Sequence, residues 1–342
     1  MKIAVGSVFE EYGGVSAHIF NIQRFSSHTI EVVPSSFTRN IIYARRSIKP
    51  YYKRFLEKKH LVGFDVVHSH TDPWFEKLCY SSRSNDCKWV HTYHTLFFDE
   101  DYRDGLNEWQ MDINRSLLEV ASKADLKISV SKWMQKYLFE NYSIETVVVE
   151  NGIDLEACNK AKGDRFTKKY GLSDFVLFVG GIREVKNPLL FIKLAEEMPD
   201  MKFVMIGEKL DESNIIEKYG VSLPKNLVLL GTLKHVEVLD AMAACRIYVV
   251  TSKREATPIT LLEAMAMKKN VVVPLHTGCV EVVPSDGYGF LYNLDSFEEL
   301  VARTKDALSA ERINVKARER IKEKYDWRKL AKKLDSLYES IG

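Results

Sequence analysis

At 342 residues, 46% of them apolar and 28% charged, the chain is long enough for two soluble globular domains of ordinary size. A net charge of +2 excludes a general nucleic-acid binder, which would carry a large basic excess. Five scattered cysteines (Cys79, Cys87, Cys158, Cys245, Cys279) form no CxxC pair, which argues against a disulfide framework or a zinc site and for a reduced, cytoplasmic setting.

The N-terminus enters Lys2-Ile3-Ala4-Val5, a first strand rather than a signal peptide, and no apolar run reaches membrane-span length. Tyr12-Gly13-Gly14-Val15-Ser16-Ala17-His18 then opens an apolar helical pattern. Paired glycines between strand and helix let a backbone approach a ligand, and they equally make a plain tight turn. Residues 39–60 hold eight basic side chains against the single acid Glu57, a local charge of +7, with Tyr43, Tyr51, Tyr52 and Phe55 interleaved. Such a stretch suits either an anionic membrane surface or a solvated helix face. Phe64-Asp65-Val66-Val67-His68-Ser69-His70 and Lys88-Trp89-Val90-His91-Thr92-Tyr93-His94-Thr95 read as strands ending in histidines. The spacing of these four histidines is not that of a known metal cage. A helical stretch over 107–122, a strand over 124–131 entering a Ser-capped helix, and Val147-Val148-Val149 lead to the turn Asn151-Gly152-Ile153-Asp154.

The alternation restarts with a buried strand at 175–179. Gly180-Gly181-Ile182-Arg183-Glu184-Val185-Lys186-Asn187 follows, and basic groups with glycines after a strand can cradle a diphosphate. Runs 202–207 and 227–231 end at glycine, where a base and ribose can lie at the carboxyl edge of a parallel sheet, or where the glycine only turns the chain. The strand 247–250 precedes Ser252-Lys253-Arg254-Glu255-Ala256-Thr257-Pro258-Ile259-Thr260-Leu261-Leu262-Glu263-Ala264-Met265-Ala266. Thr257 offers an N-cap oxygen and Pro258 a first helical residue. The helix start at Pro258 and Ile259 then points free N–H groups and a positive dipole end at the strand tip, a place for a phosphate. Glu255 and Glu263 bracket it. The pair suits a ligand with a diphosphate and sugar hydroxyls, or is one solvated and one helix-surface carboxylate.

Glu255, seven residues and Glu263, closing on Glu-Ala-Met-Ala, resembles the donor-site signature of glycosyltransferase family 4, a retaining family of GT-B architecture. The resemblance implies that Glu255 contacts hydroxyls of the transferred sugar and Glu263 the ribose. Further landmarks follow in order from Gly13 to Trp327. Gly13-Gly14-Val15 resembles the loop lining the acceptor side of the cleft, and Asp65 to His70 resembles the Asp-Val-Val-His-x-His segment. His94 matches the histidine over the transferred sugar, and Asn151-Gly152-Ile153-Asp154 the interdomain landmark. Lys186 matches the lysine that neutralises charge on the leaving phosphate. Gly181 stands where the family has an arginine; Arg183 lies two residues on. Lys268-Lys269-Asn270 stands where Gly and Pro are common, which weakens a helix C-cap. Thr277-Gly278-Cys279-Val280-Glu281 resembles a Gly-x-x-Glu turn, and Tyr325-Asp326-Trp327 the start of a last amphipathic helix.

The resemblance therefore implies an α/β GT-B protein with two Rossmann-like domains facing each other across a cleft. Residues 1–154 would bind the acceptor, 155–322 the nucleotide-sugar, and 323–342 would cross back to the first domain. The implied catalytic set is His94, Lys186 and Glu255. Donor binding is implied for Gly14, Gly181, Arg183, Lys186, Thr257, Pro258, Ile259 and Glu263. The expected activity is retaining transfer to a glycan or lipid-linked acceptor, without metal or other cofactor, in the cytoplasm or on the inner membrane face through residues 39–60. A nucleotide-sugar epimerase and a catalytically weak nucleotide-sugar-binding protein share the same pattern. Turnover without an acceptor marks the first, and binding without transfer the second.

Overall fold

The computed structural model describes residues 1–8, 13–34 and 61–342; the basic stretch at 39–60 lies outside the described residues. Two compact units result. The first combines Met1–Asp99, Gly105–Gly152 and Trp327–Gly342, and the second combines Glu100–Asp104 and Ile153–Asp326.

In the first unit the elements are β1 (Lys2–Val8), α1 (Gly14–Phe25), β2 (Thr29–Pro34), β3 (Val66–Ser69), α2 (Pro73–Ser82), β4 (Lys88–Tyr93), α3 (Glu108–Arg115), β5 (Leu126–Ser129), α4 (Lys132–Tyr142) and β6 (Val147–Val148). Among the described residues they form a six-stranded sheet in the order β2-β1-β3-β4-β5-β6 with every pairing parallel. The second unit runs α5 (Leu155–Lys160), α6 (Gly163–Tyr170), β7 (Val176–Val179), α7 (Pro188–Glu197), β8 (Phe203–Ile206), α8 (Glu212–Tyr219), β9 (Leu227–Leu229), α9 (His235–Ala244) and β10 (Ile247–Val249). It continues through α10 (Ile259–Ala266), β11 (Asn270–Pro274), α11 (Thr277–Val282), β12 (Phe290–Tyr292), α12 (Phe297–Ser309) and α13 (Val315–Lys324). Its sheet order is β12-β11-β10-β7-β8-β9, again all parallel. In both sheets the strand order reverses, between β1 and β3 in one and between β7 and β10 in the other. Ligands of doubly wound sheets bind outside the carboxyl ends of the strands at such switch points.

The strands explain themselves. Parallel strands covered on both faces need continuous apolar runs, and β7, β8, β10 and β11 read Val-Leu-Phe-Val, Phe-Val-Met-Ile, Ile-Tyr-Val and Asn-Val-Val-Val-Pro. The last helix, α14 (Trp327–Ile341), buries Trp327, Leu330, Ala331, Leu334, Asp335 and Tyr338, one stripe at helical spacing. That stripe packs with Ile3, Val5, Val66 and Val90 of the first sheet. Asp335 is held in the stripe by Ser26 Oγ at 2.6 Å and by the Ser27 amide and hydroxyl at 2.8 Å each. The weak C-cap read at Lys268 is visible as strain, since Lys268 adopts φ 62°, a left-handed conformation that glycine takes freely. The segment read as a Gly-x-x-Glu turn is instead a short helix, α11.

One buried carboxyl sets a pH dependence. Glu76 on α2 is fully buried, accepting from the Asp72 amide at 3.1 Å and from Ser116 Oγ at 2.5 Å. Burial, assisted by Asp72, pushes its carboxyl up to about 8. The folded chain therefore keeps a proton that the unfolded chain releases above the ordinary carboxylate range. The resulting stability is complete below that range and lost as pH rises through about 8. Glu76→Gln keeps both hydrogen-bond positions without the titration. Its melting temperature should match the wild type at about pH 4 and exceed it by a widening margin as pH rises to about 8. Parallel melting curves across that interval would refute the assignment.

Candidate active site

Around the switch point of the second sheet, two loops meet. The loop after β7 contains a 3-10 turn, Glu184–Lys186, and ends at Asn187 with φ 50°, from which Pro188 starts α7. The loop after β10 carries Ser252 to Pro258. Backbone and hydroxyl bonds join them: the Lys253 amide donates to Val185 O at 2.8 Å, and Thr251 Oγ1 reaches Lys186 O at 3.1 Å and Asn187 O at 2.9 Å.

This framework brings Lys186 and Glu255 together. Lys186 Nζ donates to Glu255 Oε1 at 2.6 Å, and Ser252 Oγ donates to the same oxygen at 2.6 Å. The side chains are 22% and 12% exposed, enough to meet a ligand. Glu255 Oε2 has no partner among the described residues, so an acceptor atom remains for a hydroxyl. Behind Glu255, its amide donates to Thr277 Oγ1 at 3.2 Å, and Gly278 N donates to Glu255 O at 2.8 Å. His276 closes this layer with Nε2 donating to Ser252 O at 3.0 Å and Nδ1 taking the Thr277 hydroxyl at 2.8 Å. Burial lowers the His276 pKa, which keeps the ring in the neutral form this pattern needs. Lys253 and Arg254 hold the loop from the other side. Lys253 Nζ donates to Asp101 O at 2.9 Å, and Arg254 donates to Asp101 Oδ2 and Glu100 Oε1 at 2.8 Å each.

The helix start differs by one residue from the sequence expectation. Pro258 is the N-cap, with ψ 111°, and α10 begins at Ile259 without a side-chain cap, so Thr257 does not cap it. The extended Pro258 puts its carbonyl where Leu261 and Leu262 donate to it, leaving the Ile259 and Thr260 amides as the foremost N–H groups. Glu263, 3% exposed, lies on the second turn, and its Oε1 pairs with His235 Nε2 at 2.6 Å. That bond raises the His235 pKa, favouring the imidazolium. His235, His276 and Asp101 escaped sequence reading because each acts through a partner 24 to 153 residues away. Arg183 is exposed, and its guanidinium has no partner among the described residues. At Gly181 an added Cβ would meet nothing nearer than 3.5 Å, so a side chain fits there.

In the first unit His94 follows β4 and is 7% exposed. Its Nε2 lies 2.9 Å from His70 Nδ1. His18, on α1, uses Nδ1 on Asn151 Oδ1 at 2.9 Å. The four strand-end histidines thus divide. His68 is fixed by Tyr338 Oη at 2.6 Å and Thr92 Oγ1 at 2.8 Å, and His91 by Ser69 Oγ at 2.8 Å. His70 and His94 instead join His18, whose distance in sequence hid it. Gly14 is the first residue of α1, exposed, after Gly13 at φ 148°.

Comparison with known proteins gives matches to glycosyltransferases. The family described as glycosyl transferases group 1 matches residues 160–339, and glycosyltransferase family 4 matches residues 12–157. An uncharacterized glycosyltransferase of Methanocaldococcus jannaschii is 25% identical over 370 aligned positions, covering 100% of this chain and 99% of its own. A UDP-Gal:alpha-D-GlcNAc-diphosphoundecaprenol alpha-1,3-galactosyltransferase of Escherichia coli is 26% identical, covering 87% of this chain and 80% of its own. Among solved structures, Anabaena HepE in complex with UDP-glucose superposes with a TM-score of 0.76 at 16% identity, over 99% of each chain.

Proposed function

The chain belongs to the glycosyl transferases group 1 family, and from that membership as a GT-B glycosyltransferase we propose that it moves a sugar, with retention, from a nucleotide-sugar to a lipid-linked or glycan acceptor. The observation that carries this reading is the Lys186–Glu255 pair at the switch point of the second sheet.

In this reading the diphosphate lies against the foremost amides of α10, with Lys186 and Arg183 neutralising the charge that grows on the leaving phosphate. Glu255, through its free oxygen, holds the transferred sugar; Glu263 takes the ribose; His94 keeps the sugar-handling role that the resemblance implies. The bond from the anomeric carbon to the phosphate oxygen breaks, and the bond to the acceptor oxygen forms on the same face. The acceptor proton passes to the leaving phosphate, so no protein nucleophile is required and no metal is assigned a role. The Escherichia coli relative is named for an alpha linkage and a diphosphoundecaprenol acceptor. From an α-linked donor, an α product is retention. No helix among the described residues is long and apolar enough to cross a membrane. The +7 charge of residues 39–60 would supply reversible docking to an anionic bilayer instead, at about 1 kcal/mol per basic residue.

The experiment screens nucleotide-sugars by thermal shift and then follows transfer with EDTA present, reading the anomeric configuration of the product by NMR. One nucleotide-sugar should raise the melting temperature, transfer should survive chelation, and the configuration should be kept. No stabilising nucleotide-sugar, loss of turnover restored by magnesium or manganese, or an inverted product each overturns the corresponding part. With the acceptor on anionic vesicles, turnover should fall as salt rises; a salt-independent rate removes the docking role.

A further inference from the structure

His18, His70 and His94 come from α1 and from the ends of β3 and β4, either side of the first sheet's switch point. One ring nitrogen from each lies within 4.8 Å of the others, and all three residues are buried. Their ring centroids are 4.7, 5.1 and 5.3 Å apart. Three imidazoles on one tetrahedral zinc, with Zn–N of about 2.0–2.1 Å, place their nitrogens about 3.3 Å and their centroids about 5 Å from each other. The rings are thus already at the separation of a three-histidine set, and small rotations would bring the nitrogens to bonding distance.

The hydrogen bonds point the same way. Asn151 Oδ1 can only accept, so His18 Nδ1 carries the proton and Nε2 keeps its lone pair. A metal-bound histidine is held in this way, its second nitrogen donating to a carbonyl oxygen. The His70–His94 bond satisfies one nitrogen of His70, and His70 Nε2 is buried with no partner among the described residues. Burial lowers the pKa of all three rings, that of His18 to about 4, so they are present as the neutral ligand form. Three polar rings with an unsatisfied nitrogen are an expensive way to fill a core, since an unpaired buried group costs about 1–3 kcal/mol.

We propose that His18, His70 and His94 form a binding site for a divalent transition-metal ion of the zinc class. Occupancy withdraws His94, so zinc acts as an inhibitor; this consequence alone rests on the sugar-side role of His94 proposed above.

The test uses the whole chain and zinc alone. Competition against a chromogenic chelator at about pH 7.5 should show one equivalent bound. Cobalt in its place should give the visible absorption of a four-coordinate ion. His70→Ala and His18→Asn should each weaken binding at least about a hundredfold. Circular dichroism identifies which variant has kept its fold, and the folded one decides. No bound zinc in the wild type, or equal affinity in a folded variant, overturns the site. Zinc bound with undiminished transfer upholds the site and removes His94 from the sugar-handling reading.

Discussion

Replacing Lys186 with alanine should lower turnover about a hundredfold or more while the melting temperature moves by no more than a few degrees. One preorganised charge aimed at developing charge is worth about 3–4 kcal/mol of barrier in a water-poor site. Both members of the Lys186–Glu255 pair are partly exposed, so the ion pair itself contributes about 1 kcal/mol or less to folding. Glu255→Gln should behave differently in kind. It keeps the shape and an oxygen facing Lys186 and Ser252, and loses the charge offered to sugar hydroxyls. Its loss should therefore appear in the donor KM as well as kcat, whereas Lys186→Ala falls mainly on kcat. Because the two side chains touch at 2.6 Å, the double variant should lose less than the product of the single losses. Near wild-type turnover in either single variant, or strict multiplicativity in the double, would remove the pair from the donor site.

Much of this site was legible because its chemistry is written over short distances. The strand-loop-helix units around 175–188 and 247–266 announce themselves by apolar run, glycine or proline, and periodic helix. Lys186 and Glu255 stand in the loops between. The start of α10 was off by one residue because Pro258 satisfies two readings, first helical residue and extended cap, and only ψ separates them. What could not be read is what depends on folding distant stretches together. The Glu263–His235 bond spans 28 positions, the His18–Asn151 bond 133 and the Arg254–Asp101 bond 153. Among the histidines at the ends of β3 and β4 the resemblance singled out His94, and what stayed hidden was its grouping with His70 and His18. Position in the sheet divides the four strand-end histidines into two hydrogen-bonded struts and two members of a cluster completed from α1.

Gly278 is where packing and chemistry are the same residue, and Gly278→Ala should cost both. A Cβ there would lie 1.5 Å from Ala256 O, 2.3 Å from Ala256 C and 2.8 Å from Glu255 O. These are backbone atoms, which cannot rotate aside as a flexible side chain would. The Glu255-Ala256 peptide must retreat, breaking the bond from Gly278 N to Glu255 O and shifting the carboxylate away from Lys186. Overpacking of this kind costs about 3 kcal/mol, which for a unit of this size lowers the melting temperature by roughly 6–12 °C. A displacement of about 1 Å at a reacting group costs about a hundredfold in rate. The variant should thus lose stability and turnover together, unlike Lys186→Ala. Gly181→Ala is the control for stability, because its Cβ meets nothing nearer than 3.5 Å and its melting curve should stay in place. If Gly278→Ala melts and turns over like the wild type, the Gly-x-x-Glu segment does not support the donor loop, and Glu255 must be positioned by Ser252 and Lys186 alone.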